Sequence, residues 1–146
     1  MPRYARLFQI PEEVIDAWQD ALRRSDLEAA LSLWFEEDSV SCVLPDGVRL
    51  VGHGQLREGL SGILNTRPVL LDTLSSISHN SMGVVFVDST EAVRLGAEFT
   101  EPALYINMTI VLIQGTQGWQ IAHLHASQVA KELVQSPSFA GDHGFH

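Results

Sequence analysis

The chain has 146 residues, of which 45% are apolar, as expected for one soluble globular domain. Its formal net charge of −9 argues against nucleic-acid partners and anionic membrane surfaces, because both attract lysine and arginine. It has one cysteine, so no internal disulfide is possible, and no apolar run resembles a signal peptide or a membrane span. We therefore expect a cytoplasmic protein.

The first third of the sequence has the periodicity of amphipathic helices. Pro11 begins the first helix, which is predicted to end at about residue 24. The sequence Ser25-Asp-Leu-Glu28 has the form of a capping box and predicts a second helix, whose apolar face continues to Phe35. Residues 39–51 alternate like a short hairpin around Pro45-Asp-Gly47, and a third helix follows Gly52-His-Gly54.

After Pro68 the apolar period changes to two, which is typical of β-strands. Strands are predicted over residues 69–79, 84–88 and 92–100, followed by a hairpin with arms 104–113 and 119–127. The hairpin turn, Gly115-Thr-Gln-Gly118, contains glycines that tolerate positive φ. Strict alternation in the last arm puts one set of residues on one face: Trp119, Ile121, His123, His125 and Ser127.

This order of elements predicts an α+β fold with three helices on one face of a curved, mostly antiparallel sheet. The strand over residues 104–113 is largely apolar on both faces, so its free face needs a cover. A second copy of the sheet is the simplest cover, and we expect a homodimer. The chain is predicted to form a single domain, 1–146, with its core over about 11–128 and a tail over 129–146.

Three segments resemble the SnoaL-like branch of the ketosteroid-isomerase-like and nuclear-transport-factor-like superfamily. They are the two-helix opening from Trp18 to Asp38, the pattern Gly52-x-x-x-Leu56-Arg-x-x-Leu60, and the closing strand Gly118 to Ser127. The resemblance implies a cystatin-like cone, with the helices on the concave face of the sheet and a pocket between them.

The isomerase pattern is absent at its catalytic positions. The resemblance places the general-base aspartate of the isomerases at Cys42 or Val43 and their oxyanion-stabilising tyrosine at Trp18. Their protonated aspartate corresponds to a position near Asn107 or Thr109. We therefore do not expect steroid-type enolisation.

Histidines are the candidate catalytic residues, because imidazole titrates near neutral pH. His123 and His125 share a strand face and can form an acid/base pair, and His79 is a further candidate. The resemblance points Ala126 into the cavity, which would place both histidines on the convex, dimer-side face. The pair is thus predicted to serve either an interface or the pocket.

Candidate ligand contacts come from two regions. Trp18 and Trp34 lie on helical apolar stripes and are predicted to be core residues or walls of a pocket. Tyr105, Asn107 and Thr109 form a polar stripe that points into a cavity or bonds internally. We expect no metal site, because zinc needs three or four ligands and the spacing shows no third. No cofactor is expected, because the sequence has no glycine-rich phosphate loop.

Two functions remain open at this stage. The first is a pocket for a small, mostly apolar molecule, with or without isomerase, cyclase or dehydratase chemistry. The second is a non-catalytic dimerisation module, since the closing strand also resembles that of the calcium/calmodulin-dependent kinase association domain. The sequence does not decide whether the protein is an enzyme.

Overall fold

The helical and strand periods of the sequence become three helices on one face of a six-stranded sheet, in a computed structural model that describes residues 8–134. The helices are α1 Pro11–Arg23, α2 Leu27–Leu31 and α3 Gly52–Leu64. The strands are β1 Ser41–Val43, β2 Arg49–Val51, β3 Leu70–Ser81, β4 Val84–Arg94, β5 Leu104–Gly115 and β6 Gly118–Val129. The α+β prediction is confirmed.

The strand order is β2-β1-β6-β5-β4-β3, and every pair is antiparallel except β1 with β6. A parallel neighbour needs a long crossover connection, and here the chain from β1 to β6 contains α3 and the three long strands β3, β4 and β5. The first and last strands of the chain therefore meet in the middle of the sheet.

The start of α2 differs from the prediction. The cap is Asp26, whose Oδ1 accepts a hydrogen bond from the backbone N–H of Ala29 at 3.1 Å. Ser25 instead has a positive φ of 54° and closes the turn after α1. The capping box at Ser25 was therefore wrong by one residue, because the turn between the helices uses Ser25 as its left-handed residue.

The segment after α2 joins the sheet instead of extending the helix. The backbone N–H of Ile121 donates to Leu33 O at 2.9 Å, and that of Phe35 donates to Ile121 O at 2.8 Å. Trp34 forms an isolated parallel bridge with Ile121. These bonds to β6 end the helical stripe that was predicted to continue to Phe35.

The segments predicted as strands 84–88 and 92–100 form one strand, β4, because β5 pairs with it without interruption from Val84 to Val93. Residues 95–100 lie outside it. At the other end, β6 continues to Val129 and a single 3₁₀ turn, Lys131–Leu133, follows. The rest of the predicted tail, 135–146, lies outside the described residues.

A bulge in β6 changes which side chains share a face. Val111 pairs with His123, but the next residue, Leu112, pairs with Ile121, so Ala122 is an extra residue. Trp119 and Ile121 are consequently buried against the helices and do not share the face of the histidines. The predicted strict alternation through this arm was wrong for that reason.

We call the side of the sheet that faces away from the helices the open face. Its members alternate with core residues on each long strand. In spatial order from β1 across β6 and β5 to β4, the open face comprises Ser41, Val43, His123, His125, Ser127, Tyr105, Asn107, Thr109, Val111, Ile113, Val84, Phe86, Asp88 and Thr90. Ile77 and His79 of β3 extend it.

The core lies between the helices and the other face of the sheet. Val14, Leu56 and Leu60 of the helices are buried in one cluster with Ile110 and Leu112 of β5. The two guanidinium nitrogens of Arg57 on α3 donate to the carboxylate of Glu28 on α2 at 2.6 and 3.0 Å. Among residues 8–134, no helix has the length and apolar character needed to cross a membrane.

Two hairpin glycines with positive φ test this packing. Gly118 has φ of 82°, and an added Cβ would lie 2.6 Å from the backbone oxygen of Phe8, whereas Gly83 has φ of 73° and open space around it. We expect Gly83→Ala to lower the free energy of unfolding by about 1 kcal/mol and Gly118→Ala by at least about 2 kcal/mol. Urea unfolding at one protein concentration measures both, and equal losses would contradict the close approach of Phe8.

Candidate functional site

An apolar cavity of about 190 Å³ lies between α1, α3 and the sheet. None of its lining residues is Asp, Glu, His, Lys or Arg. They include Trp18, Cys42, Leu60, Met108, Leu124 and Ala126. Burial raises the pKa of the Cys42 thiol to about 12, so this cysteine is a small apolar wall residue at neutral pH. The cavity can hold an apolar group but offers no acid or base.

Two tryptophans, one on α1 and one in the segment after α2 that bonds to β6, pack together inside the fold. Trp18 lines the cavity, and Trp34 packs against it edge-on with ring centroids 5.8 Å apart. The indole Nε1 atoms of both are buried and have no hydrogen-bond partner among residues 8–134. Of these two predicted ligand contacts, Trp18 is at a cavity wall and Trp34 supports it from behind.

A second space, which we call the Glu91 cleft, lies between α1 and strands β3 to β5 and measures about 210 Å³. Met108 lines both this cleft and the apolar cavity. Glu91 on β4 is 1% exposed and is the only buried charged residue in the described part of the chain. Thr73 Oγ1 donates to Glu91 Oε1 at 2.8 Å, and Gln19 Nε2 donates to Thr73 Oγ1 at 3.4 Å.

Burial raises the pKa of the Glu91 carboxyl, and the nearby negative charge of Asp72 adds to this effect. Hydrogen bonds from Ser89 and Thr73 act in the opposite direction. The described lining of the cleft contains two more carboxylates, Glu12 and Asp16, but no Lys, Arg or His. A carboxyl group with a raised pKa keeps its proton to a higher pH than an ordinary one and can donate it, and its ionised form can accept a proton.

Glu91 is not among the site residues predicted from the sequence. Residues 89–91 fell between two predicted strands, so the face of Glu91 was not assigned. The available signal was its spacing: Glu91 has the same parity as Val85, Val87 and Val93, which are core residues. An acidic residue at a core position of a continuous strand is a candidate functional residue.

The three predicted catalytic histidines all lie on the open face. Ser41 Oγ and His123 Nδ1 are 2.7 Å apart, and the rings of His123 and His125 are 6.3 Å apart. Burial lowers the pKa of His123, and the neighbouring His125 and Arg49 lower it further, whereas the bond with Ser41 opposes the shift. These histidines do not line the apolar cavity or the Glu91 cleft.

His79 is separated from this pair by two strands. Its ring stacks on Phe86 with centroids 4.5 Å apart, and its Nε2 is 3.7 Å from Asp88 Oδ2. The structure therefore brings His123 and His125 together but not His79.

The polar stripe of β5 also points away from the helices, so it does not line the apolar cavity between the helices and the sheet. Thr109 Oγ1 donates to Asp88 Oδ1 at 2.6 Å, and Thr90 Oγ1 donates to Asn107 Oδ1 at 3.0 Å. Asn107 and Thr109 border a shallow groove of about 560 Å³ on the open face, and Tyr105 lies on the same face. The inward positions of β5 are taken by its even-numbered apolar residues.

Within residues 8–134, no group of three or more His, Cys, Asp or Glu side chains is arranged to hold a metal ion. The site chemistry of the described chain therefore consists of one buried carboxyl group inside the fold and a histidine-bearing surface outside it.

The model of the SnoaL-like domain family matches residues 12–131 of this chain. No curated protein matches this chain. The family match covers the three helices except Pro11, the six strands and both the cavity and the Glu91 cleft.

Solved structures show the same fold at low sequence identity. A candidate calcium/calmodulin-dependent protein kinase type II association domain from Thiobacillus denitrificans is 23% identical, with TM-score 0.73 and coverage of 85% of this chain and 98% of its own. A candidate dehydratase of the NTF2-like family from Streptomyces avermitilis is 22% identical, with TM-score 0.73 and coverage of 82% and 93%. A Caulobacter vibrioides protein with a cystatin-like fold is 15% identical, with TM-score 0.70 and coverage of 92% and 94%. These similarities establish the cystatin-like fold alone.

The raised pKa of Glu91 predicts a pH-dependent stability difference. Glu91 stabilises the fold fully below its ordinary pKa of 4.5, and that contribution is lost as pH rises through the higher folded-state pKa. Relative to wild type, Glu91→Gln should therefore gain stability from about pH 4 to about pH 7. Urea unfolding at both pH values measures this, with Glu58→Gln on the exposed side of α3 as the charge control. A Glu91→Gln difference that does not grow with pH would contradict the assignment.

Proposed function

The chain belongs to the SnoaL-like domain family, and we propose that it binds a small, mostly apolar molecule and acts on it through Glu91. The reaction class is proton transfer without a cofactor, as in an isomerisation, a cyclisation or a dehydration. One observation carries the proposal: Glu91 is a buried carboxyl group, the described lining of its cleft contains no Lys, Arg or His, and this cleft adjoins an apolar cavity.

The substrate's apolar part would occupy the cavity beside Trp18. Met108 lies between the two spaces, and its flexible side chain can move so that one ligand extends from the cavity to the Glu91 cleft. A ligand carbonyl or hydroxyl that reaches Trp18 Nε1 would accept a hydrogen bond from this buried donor, for which residues 8–134 supply no acceptor. These features favour a substrate with an apolar body and a few hydrogen-bond acceptors.

Glu91 would move the proton. As a carboxylate it would accept a proton from a carbon atom of the substrate. As a carboxylic acid it would donate a proton to the oxygen of a substrate hydroxyl group that leaves as water. Thr73 holds Oε1 of this carboxyl, and Gln19 in turn holds Thr73, so one oxygen is fixed by hydrogen bonds. We assign Thr73 and Gln19 as positioning residues.

The histidines have a different place in this proposal. Catalysis by His123, His125 or His79 would require a substrate on the open face. Glu91 is buried beside a cleft, whereas these histidines lie on the open face of the sheet, so the buried carboxyl is the better candidate.

A ligand screen followed by turnover measurements tests the enzyme proposal. We expect a neutral carbonyl or hydroxy-carbonyl compound from a thermal-shift panel to raise the melting temperature of both wild type and Glu91→Gln. Turnover of that compound should fall by about 10²-fold or more in Glu91→Gln, because the acid/base group is removed while the shape is kept. Ala126→Met, which fills the cavity, should remove the thermal shift.

His123→Gln and His125→Gln serve as controls and should keep their turnover. Wild-type turnover by Glu91→Gln would reject the carboxyl group as the catalyst. A thermal shift retained in Ala126→Met would place the ligand outside the cavity.

A second function has its own supporting observation: the open face exposes large apolar side chains. Ile77, Phe86 and Val84 are 63%, 40% and 38% exposed on neighbouring strands β3 and β4. Exposed apolar side chains grouped in this way are typical of protein interfaces. We propose that two copies associate through their open faces, in the manner of a dimerisation module. The structural neighbour described as an association domain makes this role plausible for the fold.

Replacing Phe86 by Asp tests the dimer. Wild type should sediment as a dimer at micromolar concentration, and Phe86→Asp should weaken association at least about tenfold, because a charge is placed at the centre of the apolar patch. Val48→Asp is the matched control, since Val48 is 47% exposed but lies in the turn between β1 and β2, outside the open face. Equal effects of the two variants would argue against this interface.

A further inference from the structure

The open face has a charge pattern divided by β5. On the β4 side it carries the carboxylate of Asp88, which lies 3.7 Å from His79 of β3, and on the β6 side it carries His123 and His125 without a carboxylate among their paired neighbours. Arg49 on β2 extends the basic side. The two sides of the face therefore differ in chemistry across one central strand, and the first side can accept the hydrogen bonds that the second side can donate.

The strand register places these groups at matching heights. Thr109 of β5 pairs with His125 on one side and with Asp88 on the other. Two residues further along β5, Val111 pairs with His123 of β6 and with Phe86 of β4. Asp88 and His125 are thus mirror positions about β5, each one strand away, and the same holds for Phe86 and His123.

We propose that a second copy packs on the open face about a two-fold axis that runs along β5. This inference rests on the proposed homodimer and specifies its geometry. Rotation about such an axis places β5 over its own copy, and β4 over β6 of the second copy, without a shift along the strands. Asp88 then faces His125 of the partner subunit, and Phe86 faces His123 of the partner subunit. Both pairs occur twice, as two-fold symmetry requires.

An axis across the strands would have the opposite result. It would place β4 over β4 and β6 over β6 in opposite directions. With that axis at the height of Thr109, Asp88 would face Asp88 of the partner subunit and His125 would face His125 of the partner subunit. Two carboxylates in contact across an interface disfavour that arrangement. Aligned strands are also one of the two common ways in which sheets pack face to face.

The groups involved are available for such contacts. The Asp88 side chain is half exposed although it accepts from Thr109 and lies near His79, and a carboxylate has room for further donors. His125 is exposed on the same face. A histidine ring N–H can donate to a carboxylate in the neutral or the protonated state.

Mixing two charge variants tests the axis. Asp88→Lys alone puts two basic groups in each pair, and His125→Asp alone puts two carboxylates there, so each variant should self-associate at least about tenfold more weakly than wild type. In an equimolar mixture the new lysine faces the new aspartate and Asp88 faces His125. Sedimentation should therefore show a heterodimer within about threefold of wild-type affinity. Glu58→Lys on α3 controls for the change in net charge.

A cross-link gives a second measurement that does not depend on charge. Val111 lies on β5, so about this axis it faces its own copy. Val111→Cys should form a covalent dimer with a short bis-maleimide, whereas Phe86→Cys should not cross-link to itself. Cys42 is buried and should not compete, which the wild-type protein verifies under the same conditions.

The outcomes separate the two proposals. A wild-type protein that stays monomeric at high micromolar concentration overturns the dimer and the axis together. A wild-type dimer whose charge variants do not recover on mixing, or whose Val111→Cys form does not cross-link, overturns the axis and leaves the dimer. Recovery on mixing together with the cross-link at position 111 supports the axis.

Discussion

The extra residue Ala122 in β6 determines which side of the sheet the rest of that strand occupies. Because strand side chains alternate, a strand without this residue could not bury both Ile121 and Ala126 against the helices. The bulge allows both to be buried and turns His125 to the open face. The wall of the apolar cavity and the histidine surface thus depend on one insertion in the ladder, at the position where β6 stops bonding to the 33–35 segment and begins to pair with β1.

The Glu91 carboxyl group is the main departure from an apolar interior. Removing a carboxylate from water without a cation is unfavourable, and the hydroxyl groups of Thr73 and Ser89 offset only part of that cost. A stability argument alone would place an apolar residue here, as at Val87 and Val93 of the same strand face. Its position beside a cleft therefore gives Glu91 a chemical reason to be there, which is the basis of the proposed proton transfer.

The sheet separates two kinds of chemistry. On the helix side the chain has an apolar cavity and one buried acid, and on the open side it has histidines, hydroxyl groups and exposed apolar side chains. The strand register that determines the core also determines the rows of side chains on the open face. This is because two residues paired on neighbouring strands point to the same side of the sheet. A substrate site and a self-association surface can therefore coexist in one small domain, since they use opposite faces of the same strands.

The sequence by itself determined the fold class, the three helices and the final hairpin, because these follow from local periodicity and from turn residues such as Gly118. Periodicity does not report a bulge, so only the tertiary structure decided that Ile121 and His123 lie on different faces. Periodicity also does not show which of the two faces of β5 packs against the helices. In the structure, the polar stripe that contains Asn107 lies on the open face. Only the structure shows that β4 is one continuous strand with Glu91 on its core face. The burial of this carboxyl group depends on neighbours that are distant in sequence, such as Thr73.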